Sequence, residues 1–200
     1  MRLELATNKE DLALWKELVD RYHYLGYHHP IGASLHYLIV TDTPQRQVLG
    51  CLLFSAATWH LKDRDQWIGW TRKDREKRLN FVVNNKRFLV LPWVDVPNLA
   101  SHALSLALGR LRADWHQVHG YRPVLVETFV DDSQYSGTCY HAANWQRIGK
   151  TSGKDWTNQD NPSNLDGTIK SILAYPLQPN FRAVLKNEPS HHKTGRIDES

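Results

Sequence analysis

Glu127 is the one acid inside the apolar run Pro123-Val-Leu-Val-Glu-Thr-Phe-Val, and Asp131 and Asp132 follow directly. A carboxylate on a half-buried strand is costly unless it is paired or used. Desolvation raises its pKa toward the range of a general base. A salt bridge to a nearby cation is an equally good account of Glu127. The even separation of Glu127 and Asp131 puts both on one strand face. With Asp65 or His23 they could surround a divalent cation of the nuclease kind, but no spacing indicates one and no metal is assigned. The chain has 11 histidines at poor metal-ligand spacings, since His28 and His29 are adjacent and point apart. His23 draws attention because it lies between Tyr22 and Tyr24 in a loop marked by Gly26, Pro30 and Gly32. An ordinary surface or core-bonded imidazole is the simpler reading of it.

Two further groupings suit anionic ligands. Trp67 and Trp70 interleave with Arg64, Arg72, Arg75, Lys77 and Arg87. Cations contact phosphates and rings stack on bases, so such a mixture on one surface would bind nucleic acid. The competing picture is a solvated helix whose arginines pair with Asp74 and Glu76. The join Val94-Asp-Val-Pro-Asn-Leu-Ala-Ser leads from a strand into a long helix. Backbone donors around Asn98, Ala100 and Ser101 would then face a phosphate, unless the join is simply a turn capped by Asn98. Neither the Gly-x-x-x-x-Gly-Lys-Ser/Thr nor the Gly-x-Gly-x-x-Gly signature occurs, which removes the main sign of nucleoside-triphosphate loops and dinucleotide folds.

The elements that must position these residues are legible in outline. Leu12, Trp15, Leu18, Val19 and Tyr22 predict a helix over Asn8 to Tyr22, started by Asn8. Leu35 to Val40 and Val48 to Ala56 predict an antiparallel hairpin. Thr71 to Leu79 reads as a helix that Asn84 and Asn85 interrupt, with Arg87 leading into a strand Phe88 to Leu91. Leu99 to Trp115 carries one apolar stripe and predicts the longest helix, ended by Gly120. Pro123 to Val130 is a strand, Thr138 to Gln146 a short helix, Thr151 to Thr168 a loop and Ile169 to Leu177 a last strand. The pair Phe88–Leu91 and Val124–Val130 around the long helix predicts a crossover connection. The expected fold is α/β (α+β), a single mixed sheet flanked by helices. One domain is expected over 1–185, with a disordered tail over 186–200.

Composition agrees with that class. The 200 residues are 41% hydrophobic and 23% charged, enough to bury a core. The net charge of +4 is concentrated: between His60 and Arg87 nine Lys or Arg face four acids, while the remainder of the chain is close to neutral. No run approaches the roughly 18 apolar residues of a spanning helix. The N-terminus has no apolar signal core, and two cysteines build no disulfide framework. A cytoplasmic protein without a membrane partner is the expectation.

Several strings are similar to one family: His23-Tyr-Leu-Gly, Arg64-Asp-Gln-Trp-Ile-Gly-Trp, Asn84-Asn-Lys-Arg-Phe-Leu-Val-Leu-Pro, Pro97-Asn-Leu-Ala-Ser, Glu127-Thr-Phe-Val-Asp and Gly137-Thr-Cys-Tyr-His-Ala-Ala-Asn-Trp. They resemble the DruA family of the Druantia anti-phage system, whose domain also occurs in transposase-linked proteins. The resemblance implies a role in defence or mobile elements, near nucleic acid and beside defence-system or transposase proteins. It brings no catalytic mechanism and identifies no cofactor. The second half of the chain also resembles the GCN5-related N-acetyltransferase fold. There Tyr140, in Tyr-x-x-x-Asn-Trp-x-x-Ile-Gly, stands where that family has its general-acid tyrosine, and the join before the long helix would hold the coenzyme A pyrophosphate. Pro97-Asn-Leu-Ala-Ser-His lacks the glycines of that family's phosphate signature.

Three functions follow. The favoured one is a nucleic-acid-directed protein of anti-phage defence or mobile elements, with DNA processing on an acetyltransferase-like scaffold within its scope. The second is an acyl-coenzyme A-dependent N-acyltransferase with Glu127 as base and Tyr140 as acid. The third is a non-catalytic defence subunit.

Overall fold

The computed structural model describes residues 1–153 and 168–186. Within them one seven-stranded sheet carries helices on both faces. The strands are β1 (Arg2–Leu5), β2 (Ser34–Thr41), β3 (Gln47–Ala56), β4 (Val82–Val90), β5 (Leu125–Val130), β6 (Gln146–Lys150) and β7 (Ser171–Pro176). Their order is β1-β2-β3-β4-β5-β7-β6, and every pair is antiparallel except β4 and β5.

The helices are α1 (Lys9–Tyr22), α2 (Lys62–Ile68), α3 (Arg72–Arg78), α4 (Leu99–His119), α5 (Thr138–Ala142) and α6 (Phe181–Leu185). Asn8 starts α1 by accepting from the Asp11 N–H at 2.7 Å. Thr71 and Asp74 close a capping box on α3. α4 lies on one face, where Ala103, Leu104, Ala107, Leu111 and Trp115 meet Tyr37, Phe54 and Val126. The opposite face is shared. α1 covers β2 to β4 with Trp15 and Val19 on Leu38, Leu53 and Leu89, and α2 and α6 cover β4, β5 and β7 around Ile68, Leu125 and Phe181.

Several expected boundaries change. Asn84 and Asn85 do not end the helix, which stops at Arg78: they sit inside β4 with 5% and 3% exposure, Asn84 bonded to Glu127 and Asn85 to main-chain carbonyls, which makes burial tolerable. α4 runs a turn beyond Trp115, to His119, with Gly120 at φ 81° closing it. Asn98 does not cap α4 with its side chain; it adopts φ 59° and its carbonyl accepts from Ser101 Oγ at 3.1 Å. β1, α2, β6 and α6 are additional elements, each between four and seven residues long. Such lengths are too short to show a period. Most of the loop expected over Thr151 to Thr168, and the tail beyond Lys186, lie outside the described residues. Among the described residues no helix is long and apolar enough to cross a membrane.

The parallel ladder positions the site. Only Val82↔Leu125, Val83↔Val126 and Asn84↔Glu127 pair, although β4 continues to Val90 and β5 to Val130. Beyond Asn84 the two strands part. A bulge in β4 lies at the fork: Phe54 stands opposite Asn85 and Leu53 opposite Arg87, leaving Lys86 as the extra residue. The Asn85 side chain holds this bulge. Its Nδ2 donates to the Leu53 carbonyl at 3.1 Å and to the Arg87 carbonyl at 3.2 Å.

Candidate functional site

A cleft of about 1530 Å³ occupies the space where β4 and β5 part. Its floor is the fork itself. Thr128 Oγ1 donates to the Asn85 carbonyl at 3.0 Å, and the Tyr140 hydroxyl donates to Asn85 Oδ1 at 2.8 Å. Tyr140 is delivered by the short α5 and is nearly buried, so desolvation holds its phenol above the ordinary value and protonated.

One wall comes from the loop after α1. His23 Nδ1 accepts from the Leu25 N–H at 3.2 Å, its ring stacks on Tyr24 at 4.9 Å, and Tyr24 meets Tyr135 at 5.4 Å. Burial and the Arg87 guanidinium push His23 down to about 4, so it is neutral near pH 7. With Nδ1 occupied as an acceptor, the proton of the neutral ring sits on Nε2. His23 is therefore a hydrogen-bond donor here rather than a base.

The opposite wall is the Ala57 to Asp63 stretch together with Lys150 to Gly153. Gly149 allows β6 to approach it, because a Cβ there would lie 2.3 Å from the Asp63 Cβ. The Asp63 carboxylate accepts from the Lys150 N–H at 2.8 Å across that contact. Lys62, Lys86, Arg87, Lys150 and Lys170 line the cleft against two acids, Asp63 and Asp131. Both acids already serve the backbone. Asp131 Oδ1 accepts from the Ser133 N–H at 2.9 Å and from Ser133 Oγ at 2.6 Å, which fixes the turn after β5. The cleft is thus electropositive. Its rim carries the exposed rings of Tyr22, Tyr24 and Tyr135.

Of the residues singled out in the sequence, His23, Arg87, Asp131 and Tyr140 line this cleft. Glu127 does not. It is fully buried behind the wall, with both carboxylate oxygens 3.2 Å from Arg64 Nη1. Burial drives its carboxyl up from the ordinary value, against the pull of Arg64, Asn84 and the Thr58 N–H. Arg64 also donates to the Thr58 carbonyl at 2.8 Å, so the pair anchors the wall that carries His60.

The basic and aromatic segment does not form the mixed surface its composition predicts. Arg64 and Ile68 lie one helical turn apart and face inward together. Arg75 is buried against Asp65 at 2.6 Å, and Trp70 is buried with Arg64 over its ring at 5.5 Å. Trp67 stacks on Phe181 at 5.2 Å beneath Arg182. Arg72 pairs with Glu76 at 2.8 Å, and Lys77 is exposed. Asn98, Ala100 and Ser101 lie outside the cleft, on a stretch from Leu91 to Ser101 that holds Asp95 and no Lys or Arg. Among the described residues no cluster of His, Cys, Asp and Glu could hold a metal ion.

Sequence reasoning gave no site role to Asn85, Lys86, Thr128, Tyr135 and Lys170. The signal for the first two was the run Asn84-Asn-Lys-Arg within a buried strand, which is unusually polar for its place.

Solved structures with a similar arrangement include N-acetyltransferases. A chimera of the spermidine N-acetyltransferase SpeG from Vibrio cholerae superposes with a TM-score of 0.56 at 8% identity, covering 88% of this chain and 97% of that one. A ribosomal-protein-S5-alanine acetyltransferase from Vibrio fischeri gives 0.53 at 7% identity, covering 90% and 95%. At such identities the likeness establishes the GCN5-related N-acetyltransferase fold and no activity. It extends over about nine-tenths of the chain. No curated protein matches the sequence. The family described as Druantia protein DruA matches residues 1–161, and the chain belongs to the DruA family.

Proposed function

We propose that this protein is a nucleic-acid-directed component of Druantia-type defence that holds a strand in the cleft between β4 and β5. The observation that carries the reading is the composition of that cleft. Five Lys or Arg side chains line it, and Tyr24 and Tyr135 stand at its rim 47% and 48% exposed. Cations neutralise phosphates, and each base stacked on a ring contributes about 1–3 kcal/mol. Of the residues expected to form such a surface on the 60–87 segment, only Arg87 lines this cleft. The volume exceeds the roughly 300–1,000 Å³ of small-molecule pockets, which suits an extended ligand. The reading assigns binding and no bond-breaking step.

Fluorescence anisotropy with a labelled single strand of about 12 nucleotides tests it. Wild-type protein is expected to bind with a log–log salt slope set by the phosphates it contacts. Tyr135→Ala should weaken binding about 5- to 150-fold, and Tyr135→Phe should not. Absence of binding at about 50 mM salt, or equal affinity in the alanine variant, overturns the reading.

A second reading, acyl-coenzyme A-dependent N-acyl transfer, is supported by one feature: the Tyr140 hydroxyl stands at the fork of two parting parallel strands. The lack of any Lys or Arg from Leu91 to Ser101 counts against a pyrophosphate site at the start of α4. Calorimetric heat with acetyl-coenzyme A, together with turnover lost in Tyr140→Phe, would put this reading in place of the first.

A further inference from the structure

The buried arginines of this protein are treated unequally. Arg64 pairs with Glu127 and Asp65, and Arg75 pairs with Asp65. Arg87 is 6% exposed, yet its bonds run to main-chain carbonyls: Nε donates to Gly26 at 3.0 Å and Nη1 to Lys86 at 2.9 Å. Its neighbour Lys86 is the extra residue of the β4 bulge and opens on the cleft. Among the described residues neither cation forms an ion pair with a carboxylate. Two adjacent cations, one of them buried, without a counter-charge are costly to maintain. The cost registers in both groups: Lys86 is exposed as a residue, but partial desolvation of its ammonium in the cleft, together with Arg87, pulls it below an ordinary lysine, and burial pulls Arg87 down.

His23 stands beside them with its Nδ1 satisfied by the Leu25 N–H, which leaves Nε2–H as a neutral donor. An ammonium, a guanidinium and a neutral N–H match an anion with two charges and several acceptor oxygens. A phosphomonoester carries about −1.5 to −2 near neutral pH, and an internal phosphodiester carries only one charge. We infer that Lys86, Arg87 and His23 form a phosphomonoester-binding subsite at the β4 bulge, so that the cleft receives the phosphorylated end of a strand rather than its middle. The inference rests on the nucleic-acid reading for the source of the phosphate. The subsite itself requires only the monoester.

The test compares single strands of about 12 nucleotides bearing a 5′-phosphate, a 3′-phosphate or neither, and coenzyme A against 3′-dephospho-coenzyme A, on wild type, Lys86→Met and Lys86→Arg. Lys86 is solvent-exposed, so its variants keep the fold, and their melting temperatures check this. A terminal phosphate should tighten wild-type binding by about tenfold or more, the worth of one charge-assisted contact. The gain should vanish in Lys86→Met and persist in Lys86→Arg. Equal affinity with and without the phosphate, or a gain that survives Lys86→Met, overturns the subsite while leaving the nucleic-acid reading in place. If no oligonucleotide binds but coenzyme A outbinds its dephospho form in a Lys86-dependent way, the subsite stands and the nucleic-acid reading falls.

Discussion

Arg64 and Glu127 are 63 residues apart in sequence and meet at 3.2 Å with neither side chain exposed. Removing one partner leaves the other charge buried and alone, which costs about 3–5 kcal/mol. Arg64→Met and Glu127→Leu should each lower the melting temperature sharply, and the double variant should recover much of the loss. Differential scanning calorimetry on the three proteins measures the coupling. Additive losses would show that the pair acts as two independent residues.

Asn85 joins the bulge to Tyr140. Tyr140→Phe should cost about 1–3 kcal/mol by leaving the Asn85 oxygen without its donor. Asn85→Ala should cost more, because the Leu53 and Arg87 carbonyls also lose their donor. Urea titrations rank the two variants; a larger loss in Tyr140→Phe would contradict the clamp.

The pH dependence of stability should carry a histidine signature. His23 and His36 are both pushed down to about 4 from 6.5, chiefly by burial, so the unfolded chain binds the protons more readily. Stability from these groups is complete above about pH 6.5 and declines as pH falls from there toward 4. His23→Gln should flatten part of that decline, as read from urea midpoints between those limits. An unchanged slope would place the titration elsewhere.

Charge reversal on α3 should leave strand binding nearly intact. Arg72 is paired with Glu76, and neither Arg72 nor Lys77 lines the cleft. Arg72→Glu with Lys77→Glu should therefore leave the salt slope almost unchanged, whereas Lys170→Glu should reduce its magnitude by about 0.7 or more. A larger effect from α3 would move the interface to that helix.

The frame of the fold was readable because its long elements carry strong periods: α1, the β2–β3 hairpin and α4 each match their apolar spacing. The site was readable only in part. His23, Arg87, Asp131 and Tyr140 announce themselves as polar residues in constrained places. The charge of the 60–87 segment misled, because composition cannot tell an arginine facing solvent from one facing a carboxylate 63 residues later. Lys86 was hidden for a different reason. A bulge exists only relative to a partner strand, so Leu53 and Phe54 on β3 define it as much as β4 does.

The three-pair ladder between β4 and β5 is the shortest among the described strands, and the α4 core packs across it on both sides. The antiparallel ladders on either side of it are longer, so the backbone pairing is thinnest where the cleft opens. Whatever fills the gap touches strands on both sides of that ladder, and slower amide exchange on both sides is the expected signature of its arrival.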